Sequence, residues 1–258
     1  MKYFISFALR YIPRPVLQKF SHIVLKIMAV FLKGSRYTCP VENKSYRKFL
    51  PYGRLQPRKN ALCPGSLSLE RHRLLWLYLQ SKTDFFKKKY HFLHVAPELC
   101  FMEKFEALHG EGYITGDIES PLAKVKMDIH QIPFEDNHFD AAMCNHVMEH
   151  VADDILAMSE IYRVIKPGGW AIIQVPFFYP LPESTQEDKS VTDPKMREKL
   201  YGQDDHVRLY GLDYPKRLAQ AGFEVVEDDY IHSFSAEDIE KYRLPKNEII
   251  YFCKKKAN

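Results

Sequence analysis

From Tyr90 onward, short apolar runs alternate with longer amphipathic ones, and this alternation restricts the fold more than any other feature of the chain. Phe92 to Val95 has the length and apolarity of a buried strand, and Glu98 to Leu108 has helical spacing and stops at Gly110. Further strands are expected at Tyr113 to Ile118, Val125 to Ile129 and Phe139 to Cys144. A helix follows from about Asp153 to Ile165, and Lys166-Pro167-Gly168-Gly169 carries the proline and glycines that commonly end one. Trp170 to Val175 forms a fifth strand, Leu212 to Ala221 a helix stopped by Gly222, and Phe223 to Val226 and Ile249 to Cys253 two late strands. Strands alternating with helices in this way predict an α/β fold with a mostly parallel sheet covered on both faces.

In such a sheet, ligands bind beyond the carboxyl ends of the strands, where the strand order reverses. The polar residues here cluster in those places. The first strand runs into Val95-Ala96-Pro97-Glu98, the second into Asp117-Ile118, the third into Asp128-Ile129 and the fourth into Asn145-His146. A carboxylate after the second strand can accept two hydrogen bonds from the vicinal hydroxyls of a ribose. A second carboxylate one strand later suits an adenine amino group. No Gly-x-Gly-x-x-Gly follows the first strand, which argues against a nicotinamide oxidoreductase.

The segment from Phe92 to Phe177 resembles the class I S-adenosylmethionine-dependent methyltransferases. The resemblance is carried by Met127-Asp128-Ile129 leading to Ile132-Pro133-Phe134, by Phe139-Asp140, and by His146-Val147-Met148-Glu149-His150-Val151. It continues through Ile161-Tyr162-Arg163-Val164-Ile165-Lys166-Pro167-Gly168-Gly169. It implies a Rossmann-like fold with S-adenosylmethionine as cofactor. Asp117 would hold the ribose and Asp128 and Ile129 the adenine. Asn145 and His146 would border the methionine portion, with Val95, Ala96, Pro97, Glu98 and Ile118 lining the same site. The chain departs from the family in the turn after the first strand, which is normally glycine-rich: Ala96 is small, but Pro97 lacks a backbone donor.

The methyl acceptor is expected to meet the long insert between Phe177 and Gly211. This insert holds the cluster Asp204-Asp205-His206-Val207-Arg208-Leu209-Tyr210-Gly211. A histidine between an acid and an arginine has the composition of a general base with orienting partners, so His206, Asp205 and Arg208 are the catalytic candidates. The bland alternative is a salt-bridged structural corner. His150 is the other basic candidate, but Glu149-His150 recurs in methyltransferases of differing substrate and is read as support for the fold.

Three segments are expected: 1–37, 38–85 and 86–258. The first has no Asp or Glu, whereas Lys2, Arg10, Arg14, Lys19, Lys26, Lys33 and Arg36 all precede Glu42. Val16, Leu17, Phe20, Ile23, Val24, Ile27, Met28 and Phe31 recur at helical spacing, and Lys19, Lys26 and Lys33 share another face. Such a helix either packs its apolar stripe on the enzyme domain or lies on an anionic membrane surface. The run Ile23 to Leu32 is interrupted by Lys26 and is shorter than the roughly 20 apolar residues a bilayer requires. In the second segment, Ser68 stands where it would cap a helix containing Leu69, Leu74 and Leu77. Cys39-Pro-Val-Glu42 and Cys63-Pro-Gly-Ser66 are similar to the halves of a zinc ribbon in which the second cysteine of each half is replaced. Two thiolates, a carboxylate and a serine make a poor four-ligand set, so no metal is expected.

The 258 residues suit one full domain plus an appendage, and 46% hydrophobic with 27% charged residues excludes wholesale disorder. Five scattered cysteines make a poor disulfide framework, and with no cleavable signal pattern a reduced, cytoplasmic setting is expected, peripheral to a membrane if the helix binds one. The favoured acceptor is a small or lipid-linked molecule. RNA-base methylation and non-catalytic cofactor binding are the alternatives. A net charge of +4 supplies no clear phosphate track, so no nucleic-acid partner is expected.

Overall fold

The segment Phe-Leu-His-Val at 92–95 is buried at every position, as a strand covered on both faces must be. It forms an interior strand of a sheet in a computed structural model that describes residues 25, 27–53 and 57–257. Those residues make two units. One comprises the described residues up to Lys82 together with Ile231–Glu248, and the other comprises Thr83–Tyr230 and the described residues from Ile249 onward.

In the first unit, β1 (Lys33–Cys39) pairs antiparallel with β2 (Lys44–Tyr46), and β3 (Leu50–Tyr52) pairs antiparallel with β4 (Arg58–Leu62). Helix α1 (Glu70–Lys82) follows. Its Arg73 is fully buried and donates to the carbonyls of Ala61, Ser68, Tyr242 and Arg243. A buried guanidinium is tolerated only when its N–H groups find acceptors. Here they tie α1 to β4 and to the helix Ala236–Tyr242. That last helix joins this unit from far along the chain, so the three contiguous segments expected from sequence are not the units the contacts make.

Two expectations about the front of the chain are corrected. The Ser68 hydroxyl meets side chains, Arg73 Nη1 among them at 3.5 Å. It lies 3.3 Å from Cys39 Sγ and accepts from Ser66 Oγ, while His72 Nδ1 accepts the Leu69 N–H. Lys33 does not share a helical face with Lys19 and Lys26, because helix covers 27–31 and Lys33 opens β1. Gly34 beside it is poorly suited to extend a helix. The greater part of the proposed basic helix, residues 1–24, lies outside the described residues.

The second unit is built on a seven-stranded sheet ordered β12-β13-β9-β8-β5-β6-β7. Its strands are β5 (Phe92–Val95), β6 (Tyr113–Asp117), β7 (Val125–Lys126), β8 (Phe139–Asn145), β9 (Ile165–Gln174), β12 (Glu224–Asp228) and β13 (Ile250–Lys254). β5 is parallel to β6 and β8, β6 to β7, and β8 to β9, whereas β13 runs antiparallel to both neighbours. Helix α2 (Leu99–His109) follows β5, and α3 (Asp154–Val164) follows β8 with Asp153 accepting the Leu156 N–H at its start. In the insert after β9, a two-stranded ribbon of β10 (Gln186–Glu187) and β11 (Arg208–Leu209) brackets α4 (Pro194–Tyr201), and α5 (Tyr214–Gln220) comes next. This is the expected Rossmann-like α/β sheet.

Lys166-Pro167-Gly168-Gly169 does not terminate α3. The helix ends at Val164, Ile165 is already extended, and all four residues lie inside β9. The ladder explains this. Ile165 pairs with Phe139, Gly168 N–H donates to Lys255 O, and the register shifts between Phe139 and Ala141. Gly168, at φ 78°, supplies the left-handed residue that the bulge needs, and a Cβ on Gly169 would press against the Asp140 carbonyl.

The chain leaves β5 toward β6 and β7, then crosses back to β8 on the other side of β5. The carboxyl ends of β5 and β8 therefore flank the reversal in strand order, where an open sheet binds its ligand.

Candidate functional site

The turn after β5 contains no glycine. Ala96 adopts φ 47°, the left-handed conformation that glycine normally takes, and its N–H donates to Gly116 O at the end of β6. A Cβ on Gly116 would have to displace the Met127 thioether. The chain can thus turn sharply at Ala96-Pro97, and Glu98 comes back over the strand end. Glu98 Oε2 lies 2.5 Å from His94 Nε2, His94 Nδ1 is 2.8 Å from Tyr113 OH, and Glu98 Oε1 accepts from Asn145 Nδ2 at 2.8 Å. This polar chain runs from β6 through β5 to β8.

Asp117 is half-buried at the end of β6. Its Oδ1 accepts the N–H groups of Glu119 and Ser120, which fixes the carboxylate and leaves Ile118 exposed beside it. Asp128 lies beyond β7, and its Oδ1 accepts from the His130 backbone and stands 2.7 Å from His130 Nδ1. Those two hydrogen bonds hold its carboxyl below the usual carboxylate range. Ile129 is buried in the core. The structure thus places Val95 to Glu98, Asp117, Ile118, Asp128, Asn145 and His146 at or just beyond the carboxyl ends of adjacent strands.

Buried polar atoms test whether a polar ligand suits this place. Asn145 Oδ1 and His146 Nε2 are both buried without a hydrogen-bond partner, and His146 is held at φ 56° with its N–H on Gln174 O. Unpaired buried polar atoms are costly in a folded protein and call for an explanation, of which a bound polar ligand is one. The acceptors at the end of β8 and the fixed carboxylate at the end of β6 fit the amino and hydroxyl groups of S-adenosylmethionine.

Beyond His146 the chain turns through Glu149 and His150, and the insert brings His206 against them. Glu149 is 1% exposed and has one carboxylate oxygen unpartnered; the other lies 3.5 Å from His146 Nδ1 and 3.9 Å from His150 Nε2. His206 is fully buried, with Nδ1 2.9 Å from Tyr201 O and Nε2 unpartnered. Burial lowers its pKa, so the ring is neutral and Nδ1–H donates to Tyr201. Asp205 Oδ2 lies 3.5 Å from His150 Nδ1. The Val207 N–H donates to Glu149 O and clamps the insert in place. The reading of Glu149-His150 as fold support alone missed this convergence. The one signal in the sequence was a glutamate flanked by histidines at 146 and 150.

Arg208 has a different setting from His206. It is buried, and all three of its nitrogens are engaged by the carbonyls of Met148, Val151 and Ala152 and by Glu187. Nearby, Asp154 accepts from Arg217 and Tyr210. Burial would raise the Asp154 pKa, but Arg217, Arg208 and Tyr210 outweigh it and hold the carboxyl below its usual range. Arg208 pins the ribbon of the insert to the segment between β8 and α3.

In the first unit Cys39, Glu42 and Cys63 lie close together. Cys39 Sγ lies 3.1 Å from Ser66 Oγ, and Cys63 Sγ donates to Glu42 Oε1, which also accepts from Tyr46 OH. Burial and the neighbouring Cys39 push the Cys63 thiol up. These groups answer one another's hydrogen-bonding needs.

With the strand order and the site in view, the class of fold is defined: a Rossmann-like α/β domain whose strand order reverses between β5 and β8, where open sheets of this kind place their ligands. Residues 102–173 match the family model described as a methyltransferase domain. Over that segment, a little more than a quarter of the chain, the protein is similar to methyltransferase domains. It is 36% identical over 90 residues to an uncharacterized 37.1 kDa protein in transposon TN4556 of Streptomyces fradiae, covering 32% of this chain and 26% of that protein. It is 40% identical over 52 residues to a 2-phytyl-1,4-naphtoquinone methyltransferase of Nostoc punctiforme, covering 20% and 23%. The matches span about a quarter of the length of these curated relatives. Among solved structures, an S-adenosylmethionine-dependent methyltransferase from Mesorhizobium loti is similar, with 13% identity, a TM-score of 0.46, and coverage of 70% of this chain and 97% of that one.

Proposed function

We propose that the chain transfers a methyl group from S-adenosylmethionine to a small or lipid-linked acceptor. The observation that carries this reading is the line of buried, unpartnered acceptor atoms after β8, from Asn145 Oδ1 through His146 Nε2 and Glu149 to His206 Nε2. Its first part suits the cofactor, and its far part lies against the insert, where an acceptor would enter. Asp117 would hold the ribose, Asp128 and Ile129 the adenine, and Asn145 and His146 the methionine portion, with Val95-Ala96-Pro97-Glu98 and Ile118 lining the site. The bound cofactor supplies an electrophilic methyl group on its sulfonium.

What remains for the chain is to bring the acceptor's nucleophile into line, which can supply on the order of 7–11 kcal/mol. His206 presents its Nε2 lone pair from a ring fixed by Tyr201 O, while Asp205 orients His150. Arg208 serves this site as a positioning residue, because it fixes the strand that follows His206. A lipid-linked acceptor is supported by the quinone named for one relative and by the exposed Ile27, Val30 and Phe31 next to the basic, apolar N-terminal sequence. Those residues would bring the domain to an anionic membrane surface as a peripheral partner. Among the described residues, no helix is long and apolar enough to cross a membrane. We keep the segment around Cys39 and Cys63 as a metal-free structural element.

The test is calorimetric titration with S-adenosylhomocysteine. Wild type is expected to bind, and Asp117→Ala to bind more weakly by roughly 1.5–3 kcal/mol for each charge-assisted bond lost. Binding of a nicotinamide cofactor in place of S-adenosylhomocysteine would refute the assignment. Cofactor binding with no methyl transfer to any pool of small or lipid acceptors would favour a non-catalytic homologue.

A further inference from the structure

We propose that Glu149, His150 and His206 form a binding site for a divalent transition-metal ion such as zinc. One ligand atom from each lies within 4.8 Å of the others. Nitrogen and oxygen ligands bind zinc at roughly 2.0–2.2 Å, so small side-chain rotations would close the set around an ion. Two imidazoles and one carboxylate are a donor set that suits first-row divalent metals and leaves an open coordination position.

Two independent observations point to a cation here. The first is the orphaned pair: a Glu149 oxygen and His206 Nε2, both on fully buried side chains, have no hydrogen-bond partner. A buried carboxylate is costly unless it is paired or coordinates a metal. The second is the support behind each imidazole. His206 donates Nδ1–H to the Tyr201 carbonyl, which leaves its Nε2 lone pair free to bind an ion. His150 Nδ1 faces Asp205, 3.3 Å from its carbonyl and 3.5 Å from Oδ2, which leaves His150 Nε2 toward Glu149. A histidine ligand with its other ring nitrogen held by a carbonyl or carboxylate is the usual arrangement in metal sites. The cysteine cluster of the first unit lacks this signature, since its sulfurs and Glu42 already bond to each other and to Ser66, Ser68 and Tyr46.

The inference does not rest on the methyl-transfer reading, but it would refine it. With an ion bound, His206 acts as a ligand, and the open position holds an oxygen or nitrogen of the acceptor.

The test uses full-length protein stripped of metal and titrated with zinc, followed by cobalt as a spectroscopic probe. The expected result is one zinc per chain that survives Cys39→Ser with Cys63→Ser, and a cobalt spectrum without thiolate charge transfer. His150→Ala removes a half-exposed ligand with little risk to folding and is expected to weaken binding at least tenfold, as is Glu149→Gln. S-adenosylhomocysteine affinity, measured alongside, reports the methyltransferase assignment separately. Wild-type protein that takes up no zinc, or zinc that is lost in the cysteine variant and kept in His150→Ala, would overturn the proposal.

Discussion

Asn145 donates its side-chain amide to Glu98 Oε1 at 2.8 Å, tying the carboxyl end of β8 to the turn after β5 across the reversal in strand order. The bond leaves Asn145 Oδ1 buried with no partner. Replacing Asn145 with alanine removes both the tie and that acceptor. S-adenosylhomocysteine affinity is expected to fall about tenfold or more, equivalent to roughly 1.4 kcal/mol, with the fold retained by circular dichroism. Unchanged affinity would remove Asn145 from the cofactor site.

Ala96 occupies a left-handed conformation that costs an L-residue roughly 1–2 kcal/mol, while glycine there gives back part of the gain through its freer unfolded chain. Ala96→Gly is therefore expected to raise the melting temperature slightly. Ala96→Val, β-branched, is expected to lower stability by more than about 1 kcal/mol. Thermal unfolding of the two variants checks the sign of each.

His109 accepts the Tyr90 N–H through Nδ1, and burial depresses its pKa from 6.5 to about 4. The folded protein thus resists protonating a group that the unfolded chain protonates near 6.5. The stability this represents is complete above that value and is lost as pH falls toward 4, by on the order of 2–3 kcal/mol. Unfolding in urea across that interval is expected to show the decline, and His109→Gln to flatten it. An equal slope in the variant would place the titration elsewhere.

Arg208→Met would leave Glu187 and the Met148 and Val151 carbonyls without their buried partner. Leaving a buried carbonyl without its donor typically costs about 1–3 kcal/mol, so the variant is expected to melt below wild type. His206→Ala is expected instead to lower turnover more than cofactor affinity. Equal loss of both would make His206 a structural corner as well.

The N-terminal sequence predicts that the protein sediments with anionic vesicles and that salt releases it, each lysine near the surface adding about 1 kcal/mol. Because β1 opens at Lys33, a truncation that leaves the fold intact must stop earlier, and removal of residues 1–26, which takes the lysines before Ile27 but leaves Ile27, Val30 and Phe31, is expected to weaken sedimentation sharply. Vesicle binding undiminished by truncation would place the contact elsewhere.

The sheet was legible in the sequence because burial on both faces demands continuous apolar runs such as Phe92 to Val95 and Ala141 to Cys144. The strand ends were legible for the same reason: polar residues interrupt those runs at Asp117, Asp128 and Asn145, and the structure places them at strand ends, where topology puts ligands. The Lys166 to Gly169 bulge was not legible, since a Pro-Gly-Gly run ends a helix as readily as it kinks a strand, and only pairing with β8 and β13 selects the strand. The joining of the helix Ala236–Tyr242 to α1 depends on the buried Arg73, whose acceptors lie 169 and 170 residues away. The meeting of Glu149 and His150 with His206 is likewise a tertiary event. Local sequence sets the backbone of each segment, but Val207 N–H on Glu149 O and Arg208 on the Met148 and Val151 carbonyls bring the two together.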